Sequence, residues 1–391
     1  MKYELMDTYS KNAVIKVIGI GGGGGNAVNH MVNSNIEGVD FICANTDAQA
    51  LRKLSVDTMV QLGAELTKGL GAGTNPEIGK QAAMEDKDRI KEIIQGTDMV
   101  FLTAGMGGGT GTGAIPVFAE IAKELGVLTV AVVTKPFQFE GKQKLATAIK
   151  GIEALEEYVD SLIVIPNQKL LSVLGDNISL VDAFSAANDV LQDAVQGITQ
   201  LIVHPGYINV DFADVKTVMT EMGVAIMGTG TSSGEHRAKE AADKAISCPL
   251  LDDVNLQGAQ GILVNITASQ DLGIAEFNEI GTIIDNFAAA NAVVKIGTAI
   301  DSELGDEIKV TVVATGMSKH VESLAGESSQ RILQRIGLGE ESYSALDKPA
   351  ITRKQRATAV SEGNQFAAQA KKEESEYLDL DIPAFLRRQA D

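Results

Sequence analysis

Short apolar runs alternate with helical patterns along the first 165 residues, and this alternation limits the possible folds most strongly. Runs of strand length lie at 13–20, 39–44, 59–62, 99–104, 127–134 and 162–165. Because a helix between two strands carries the chain back across the sheet, the pattern predicts a parallel sheet with helices on both faces. Ligands of such sheets bind at the carboxyl ends of the strands. The sequence therefore predicts an α/β fold with a ligand site at that edge.

Two glycine-rich stretches follow the first and fourth predicted strands, five glycines at 21–25 and Gly-Gly-Gly-Thr-Gly-Thr-Gly at 107–113. Each leads into a helical pattern, where free N–H groups and the positive end of the helix dipole favour an anion. Glycine also lacks the Cβ atom that would hold a phosphate at a distance. One such stretch is also typical of a tight turn, but two in one domain indicate a phosphate site. Thr110 and Thr112 add hydroxyl donors to it.

The identity of the phosphate ligand is less constrained by these residues. Residues 19–24 satisfy G-x-G-x-x-G, and Asp47 follows about 20 residues later, as in dinucleotide sites. An NAD site leaves the second glycine stretch unexplained. The chain has no Walker A sequence, since Gly79 and Lys80 are followed by Gln81. An NAD-dependent oxidoreductase and a nucleotide-binding scaffold without turnover therefore stand as alternatives to a nucleotide hydrolase.

The second half of the chain predicts a long helix and a smaller α/β domain. Residues 179–202 have the pattern of one helix, with Ser179 as its cap and Asp182 in its first turn. Further strand patterns lie at 224–227, 261–267, 292–296 and 308–314, and helical patterns at 235–246 and 273–290. We therefore divide the chain into a flexible N-terminus at 1–12, a ligand-binding domain at 13–178, a central helix at 179–202 and a second domain at 203–316.

Beyond residue 316 the composition shifts to Ser, Glu, Gln, Ala and Lys, and strand patterns stop. We expect a flexible linker at 317–375, with a transient helix at 331–336. The last residues, 376–391, regain large apolar side chains, namely Tyr377, Leu378, Leu380, Ile382, Phe385 and Leu386. This segment is predicted to be a docking peptide.

The charge and the cysteines exclude several classes of function. A formal net charge of −19 repels nucleic acid and anionic membrane surfaces, so neither is expected as a direct partner. The two cysteines, Cys43 and Cys248, provide neither a disulfide framework nor a protein metal site. The N-terminus lacks the apolar core of a signal peptide, and no run reaches the ~20 apolar residues of a membrane span. These features predict a cytoplasmic protein without membrane insertion.

Several motifs together resemble the tubulin/FtsZ family of GTPases. They are GGGTGTG at 107–113, Asn-Thr-Asp at 45–47, Thr-Lys-Pro-Phe-Gln-Phe-Glu-Gly at 134–141, Asn-Asp at 188–189 and Asn-Val-Asp-Phe-Ala-Asp at 209–214. The resemblance covers about residues 12–316 and resumes at the terminal peptide. It implies a Rossmann-like GTPase domain, a long central helix, a smaller α/β domain, a disordered linker and a terminal peptide. It also implies GTP-driven, head-to-tail filaments that form the cell-division ring.

The resemblance implies that GTP or GDP binds with Mg²⁺, and it assigns a set of nucleotide contacts. These are Gly22, Gly23, Asn26, Asn45, Asp47, Gly105, Gly107, Gly108, Gly109, Thr110, Gly111, Thr112, Gly113, Thr134, Pro136, Glu140, Lys144, Asn167, Phe184, Asn188 and Asp189. Guanine would stack on Phe184, and Asp189 would accept from its N1–H and N2–H₂ groups. Glu140 and Lys144 would lie near the ribose, with Lys144 in place of an arginine common in the family.

The segment 209–214 raises the question of catalysis. From the residues alone, Asn209 or Asp211 caps the following helix, and Asp214 favours its first turn. The resemblance implies in addition that this loop enters the nucleotide pocket of the next subunit, where Asp211 and Asp214 orient the attacking water. The implied partners are other copies of the chain, through longitudinal contacts, and membrane-tethering and regulatory division proteins, through 377–391. The implied location is the cytoplasm at mid-cell.

Overall fold

The structure, a computed structural model, describes residues 13–34, 36–175, 178–203, 206–220, 223–248, 259–289 and 291–317. The predictions for residues 1–12, for the linker after residue 317 and for the terminal peptide lie outside this part of the chain, as does the helix expected at 331–336.

The described residues form ten strands of one sheet. The strands are β1 (Ile15–Ile20), β2 (Asp40–Asn45), β3 (Thr58–Gln61), β4 (Met99–Gly105), β5 (Leu128–Lys135), β6 (Ser161–Pro166), β7 (Gly223–Ser233), β8 (Gly261–Ala268), β9 (Val293–Ile300) and β10 (Glu307–Met317). Their order is β3-β2-β1-β4-β5-β6-β7-β10-β8-β9. Only β10 runs antiparallel to its neighbours β7 and β8 among these strands. The predicted, mostly parallel α/β fold is confirmed.

The strand order reverses between β1 and β4, which lie side by side. Parallel pairing sets Gly19 opposite Thr103 and Ile20 opposite Ala104, so the two strands end level with each other. In open α/β sheets such a reversal leaves a crevice at the carboxyl ends of the strands, where ligands bind. Both glycine-rich stretches begin at this crevice.

Helices cover both faces of the sheet. The described helices are α1 (Gly21–Asn33), α2 (Ala48–Leu51), α3 (Ala64–Thr67), α4 (Pro76–Glu85), α5 (Lys87–Ile94), α6 (Gly109–Glu124), α7 (Lys142–Glu156), α8 (Asn167–Leu174), α9 (Leu180–Val203), α10 (Phe212–Met219), α11 (Arg237–Ile246) and α12 (Ile274–Phe287). Alternate residues of β1 enter two different cores: Val17 packs in the cluster that includes α1 and α9, and Ile18 packs in the cluster with α5, α6 and α7. None of the described helices combines the length and apolar character needed to cross a bilayer.

The central helix α9 begins one residue after its predicted start and ends one residue after its predicted end. The Asp182 N–H donates to Ser179 Oγ at 3.1 Å, which confirms Ser179 as the cap. One apolar face of α9 is buried against the sheet, as the helical period of its apolar residues predicts.

Strand β7 is longer than the four residues predicted at 224–227. Its second half is Gly-Thr-Gly-Thr-Ser-Ser, which lacks the apolar pattern of a buried strand, but it pairs with β10 from Gly228 to Ser233. At its other end, Gly223 and Ala225 pair with Ser161 and Ile163 of β6. The sheet is therefore continuous from β6 to β7, and the domain boundary placed between them stays a prediction.

Arg237 joins three segments of the second half of the fold. Its side chain is 6% exposed and donates to both Glu276 carboxylate oxygens, from Nε at 2.7 Å and from Nη2 at 3.2 Å. It also donates to the Asp306 carbonyl oxygen at 3.0 Å and pairs with Asp271 at 3.0 Å. These hydrogen bonds lower the pKa of Glu276 below its ordinary value, mainly because Arg237 stabilises the ionised carboxylate.

We expect Glu276→Gln to lower the free energy of unfolding by about 2 kcal/mol at pH 7, because it removes the counter-charge of a buried guanidinium. A carboxyl group whose pKa is lower in the folded state stabilises the fold above its unfolded pKa and loses that effect as the pH falls. The difference in the free energy of unfolding between the parent chain and Glu276→Gln should therefore become smaller below about pH 4. Urea unfolding at several pH values measures it. Asp271→Asn is the control, since Asp271 is half exposed and should matter less; a pH-independent difference would contradict the prediction.

Candidate functional site

Two helix N-termini made of glycine meet at the crevice between β1 and β4. Helix α1 starts at Gly21 directly after β1, and α6 starts at Gly109, so most residues of the two glycine-rich stretches lie in the first turns of these helices. Neither N-terminus has a side-chain cap. Asp47, Asn75 and Asp211 cap α2, α4 and α10, whereas α3, α5, α7 and α11 also have no side-chain cap. Two uncapped N-termini present N–H groups and positive dipole ends to one place, which is an arrangement that binds phosphate.

The glycines at this edge are of two kinds. A Cβ atom at Gly113 would lie 1.9 Å from the Pro76 carbonyl oxygen, so Gly113 is required by the close packing of α4 on α6. A Cβ atom at Gly22 or Gly108 would meet no protein atom within 4 Å, and neither residue has the positive φ that demands glycine. Nothing in the protein's own packing explains glycine at these two positions, whereas a phosphate group held against the backbone does.

A cavity of about 400 Å³ opens between the two N-termini and α9. Most of the predicted contacts line it, namely Gly22, Gly23, Asn26, Gly105, Gly108, Gly109, Thr110, Gly111, Thr134, Pro136, Glu140, Lys144, Asn167, Phe184 and Asn188. The fold thus brings together residues that lie up to more than 160 positions apart in the sequence. Within this lining the glycines and threonines lie at the strand ends, and the aromatic and amide side chains belong to α1, α8 and α9.

Four further residues that the sequence did not predict also line the cavity. They are Gly73, Met106, Ala187 and Leu191. Gly73 accepts from the Gly109 N–H at 2.9 Å through its carbonyl oxygen. Its segment, Lys-Gly-Leu-Gly-Ala-Gly at 68–73, contains three glycines, and that enrichment was the signal for a third loop at the site. Ala187 and Leu191 follow from the helical period, since they lie three and seven residues after Phe184.

Asn45 and Asp47 do not line the cavity and have structural partners instead. The Asn45 Oδ1 accepts from the Asp47 N–H at 3.2 Å. The Asp47 carboxylate accepts from the N–H groups of Gln49 and Ala50 at 2.8 and 3.1 Å, and so caps α2. An acidic residue at this position was the main support for a dinucleotide site, and its carboxylate is engaged in the cap.

Gly107 and Gly113 also lie outside the lining, as does Thr112, which was predicted to be a hydroxyl donor. Its hydroxyl is buried and accepts from the Gly107 N–H at 2.8 Å. Gly107 has φ +104°, a conformation that favours glycine. Thr110 does line the cavity, and its hydroxyl is 2.6 Å from the Thr46 hydroxyl.

The far end of the cavity suits a planar, polar ring. Phe184 is 40% exposed, and its ring packs edge-on against the buried Phe137 ring at 5.2 Å, so one side chain supports the other. Asn167 is 4% exposed, and its Oδ1 has no hydrogen-bond partner among the described residues. A buried polar atom without a partner is costly, and a ligand that donates a hydrogen bond here removes that cost. The residues present therefore fit a nucleobase with N–H donors.

Asp189, which was predicted to contact the base, is not among the residues that line this cavity. Asp189 Oδ1 lies 2.7 Å from His30 Nε2 of α1. Asn188 lines the cavity instead, because it lies four residues after Phe184 and thus on the same face of α9. A step of one residue turns a helix by about 100° and points the next side chain elsewhere.

Glu140 and Lys144 form an ion pair of 2.9 Å on the wall of the cavity. The second carboxylate oxygen of Glu140 accepts from the Phe137 N–H at 2.9 Å. The backbone hydrogen bond fixes the carboxylate and leaves the lysine as a compact point charge with three donors. The pair can bind a hydroxyl group and an anionic oxygen side by side.

The acidic segment after α9 lies apart from the cavity lining. Asp211 caps α10, since its Oδ1 accepts from the Asp214 N–H at 2.7 Å, and this confirms the capping role predicted for it. Asp214 lies in the first turn, as predicted, and pairs with Lys295 Nζ at 2.7 Å. Asn209 is exposed. None of the three side chains lines the cavity of its own chain.

Comparison with known proteins identifies the family. Residues 14–175 match the GTPase domain of the Tubulin/FtsZ family, and residues 223–318 match the C-terminal domain of the FtsZ family. The chain is 56% identical to the cell division protein FtsZ of Pseudomonas aeruginosa, and that alignment covers 100% of both proteins. It is 58% identical to the cell division protein FtsZ of Coxiella burnetii, and that alignment covers 99% of both proteins.

A solved structure agrees with the sequence relatives. An FtsZ dimer of M. jannaschii superposes with a TM-score of 0.76 at 45% identity, over 79% of this chain and 89% of that one. The matched domains, the identities over the whole length and the shared fold show that this chain belongs to the FtsZ family of tubulin-like GTPases.

Proposed function

We propose that the chain polymerises head to tail in cell division, and that each contact between subunits completes a site that hydrolyses GTP. The observation that carries this proposal is the separation of two half-sites on one chain. The glycine N-termini border the cavity, and the three polar side chains of the acidic segment at 209–214 do not line it. Contact between one half-site and the other half-site of a second copy is heterologous, and it builds a filament where the rotation from copy to copy does not close a ring.

We infer how GTP lies in the cavity from the residues that line it. The phosphates belong at the N-termini of α1 and α6, the ribose beside Glu140 and Lys144, and the guanine against Phe184. Asn188 and Asn167 offer amide oxygens to the N1–H and N2–H₂ groups of guanine, and adenine has no such pair of donors at this edge. The role that the resemblance gave to Asp189 thus passes to Asn188.

Hydrolysis needs a water placed in line with the γ-phosphate, and a group that orients it. The water oxygen bonds to the γ-phosphorus while the bond to the β–γ bridging oxygen breaks, which releases GDP and phosphate. Positioning and charge stabilisation dominate such reactions, so carboxylates supplied by a neighbour suffice. Asp211 and Asp214 are our candidates, with Asn209 beside them, and their half-exposed position at the start of α10 leaves them accessible to a second copy. A Mg²⁺ ion bound to the phosphates themselves would offset their charge.

Related proteins support assembly and its biological setting. The M. jannaschii relative has been solved as a dimer, and the Pseudomonas and Coxiella relatives carry the name of a cell division protein. We place this chain in the cytoplasm, concentrated at mid-cell, where its filaments form the division ring.

The parent chain should prefer GTP over ATP by more than about 10²-fold, because a site built around polar partners rejects a base that leaves them unpaired. Asn188→Ala should lose most of that preference through weaker binding of GTP, as measured by competition at equilibrium. Asn278→Ala, an exposed helical asparagine outside the cavity lining, is the matched control. Equal competition by ATP in the parent chain would refute the assignment of the base site, and GTP binding without phosphate release would identify a scaffold.

We propose further that residues 377–391 dock to membrane-tethering and regulatory division proteins. The six large apolar side chains of this segment favour a bound state, and Arg387 and Arg388 follow them. A single peptide binds weakly because ordering it costs free energy, but a filament presents many copies and gains avidity.

Deletion of 377–391 should leave GTP-driven assembly of the purified protein near normal and remove membrane recruitment in cells. Light scattering with GTP and Mg²⁺ measures the first, and fluorescence imaging of the truncated protein as the sole copy measures the second. Failure of the purified protein to assemble, or membrane-attached rings without the segment, would show that the docking assignment is wrong.

A further inference from the structure

The two amides that line the base end of the cavity from α1 and α9 are carried by separate helices. Asn26 belongs to α1, and Asn188 belongs to α9. The distance between these side chains, and hence the width of the base site, depends on how the two helices are held together. Both helices contribute side chains to the same apolar cluster, but apolar packing is non-directional and permits small shifts of one helix along another.

Two polar contacts join α1 to α9 next to these amides. His30 lies one helical turn after Asn26, and its Nε2 donates to Asp189 Oδ1 at 2.7 Å. Asp189 directly follows Asn188 in the chain. At the C-cap of α1, one turn after His30, Ser34 Oγ donates to Gln192 Oε1 at 2.9 Å. The series of contacts therefore fixes the axial position of α9 against α1 at the level of the base site.

We infer that the His30–Asp189 contact is a positioning element for base recognition, which sets the place of Asn188 and Phe184 relative to Asn26. The inference rests on the proposed binding of guanine in this cavity. Both side chains are partly exposed, at 31% and 58%, and exposed pairs of this kind add little to the stability of a fold. The pair lies next to the two amides, since His30 follows Asn26 by one helical turn and Asp189 directly follows Asn188. This position is consistent with a role in holding α1 and α9 in register.

A set of variants separates this role from a direct contact with the base. In Asp189→Ala and in His30→Ala, GTP should bind about tenfold more weakly, because the polar contact nearest Asn188 no longer fixes α9 along α1 and Asn188 shifts from its partner. The double variant should bind no more weakly than either single variant, since one contact is lost in all three. His30→Gln keeps an N–H donor at a similar reach and should retain most of the affinity.

The readout is equilibrium binding of GTP and of ATP to each purified full-length variant. Adenine lacks the N–H groups from which Asn188 accepts hydrogen bonds in guanine. The affinity for ATP should therefore stay the same in these variants, while the affinity for GTP falls. Glu124→Ala breaks the Lys87–Glu124 pair, an exposed pair of 3.3 Å between α5 and α6, and serves as the matched control with unchanged binding.

Three results would overturn the inference. They are unchanged GTP affinity in Asp189→Ala, equal losses for GTP and ATP, and a loss in Asp189→Ala that His30→Ala does not share. The last result would mean that Asp189 contacts the base itself. A parent chain that binds GTP and ATP equally would instead refute the proposed function.

Discussion

Gly108→Ser should bind GTP at least about 100-fold more weakly than the parent chain and should melt at the same temperature. Gly108 is the N-cap residue of α6, with φ −87° and ψ 175°, which any residue adopts. A Cβ atom there meets no protein atom within 4 Å and projects into space that the cavity provides for phosphate. The folded protein tolerates the serine, and the ligand does not.

A matched glycine tests whether the loss is local. Gly273 is the N-cap residue of α12, with φ −81° and ψ 149°, and a Cβ atom there makes only ordinary contact, with Glu276 at 3.4 Å. Gly273→Ser should therefore leave both GTP binding and melting unchanged. Gly22→Ser probes the other N-terminus and should behave like Gly108→Ser. If Gly108→Ser kept its GTP affinity at an unchanged melting temperature, GGGTGTG would be a turn and no phosphate site.

Asp211→Asn should lower the turnover number by about 10²-fold or more and leave the affinity for GTP unchanged, because the carboxylate acts on the nucleotide of another subunit. Asparagine is as good an N-cap residue as aspartate, so α10 keeps the hydrogen bond that Asp211 makes to the Asp214 N–H. The variant thus removes the charge without removing the cap. Phosphate release and equilibrium GTP binding measure the two quantities.

A second capping aspartate provides the control for this substitution. Asp301 accepts from the Glu303 N–H at 2.9 Å and caps a short 3₁₀ helix at Ser302–Leu304. Asp301→Asn should hydrolyse GTP at the parental rate. A comparable loss in Asp301→Asn would assign the effect to general disturbance of the fold.

Mixing two inactive proteins tests catalysis between subunits directly. Asp211→Asn retains a nucleotide pocket without the acid, and Gly108→Ser retains the acid without a working pocket. The mixture should hydrolyse GTP faster than the sum of its components, because the pocket of one meets the acidic segment of the other. Activity that equals the sum would argue that each chain hydrolyses its own nucleotide.

The strand–helix alternation and the glycine stretches were sufficient to predict the fold and the edge that carries the site. Burial on both faces requires continuous apolar runs, and such runs are visible in β1, β4 and β5 without knowledge of the partners. The end of β7 was not predictable in this way. Its glycines, threonines and serines form a strand because β10 supplies the hydrogen bonds, and that partner lies about 80 residues later in the chain.

Within the site, the sequence identified the segments that carry the polar residues, and the structure showed which of their side chains face the cavity. Asn188 and Asp189 are adjacent in a motif, and the motif alone favours the carboxylate as the partner of guanine. Only the rotation of α9 in its packed position turns Asn188 into the cavity and Asp189 toward His30. The third glycine segment, at 68–73, reaches the cavity by the same kind of long-range packing, through the hydrogen bond between Gly73 and Gly109.

The sequence by itself determined the parallel sheet, the two glycine-rich helix N-termini at its edge and the family, because these depend on local periodicity and on motifs of a few consecutive residues. Tertiary structure alone decided which glycines are required by helix packing and which face open space, since Gly108 and Gly113 belong to one motif and differ only in what lies opposite them. It also decided that Asp211 and Asp214 lie outside the cavity of their own chain. The physical reason is that side-chain direction and close approach depend on contacts between segments far apart in sequence, and no local pattern encodes those contacts.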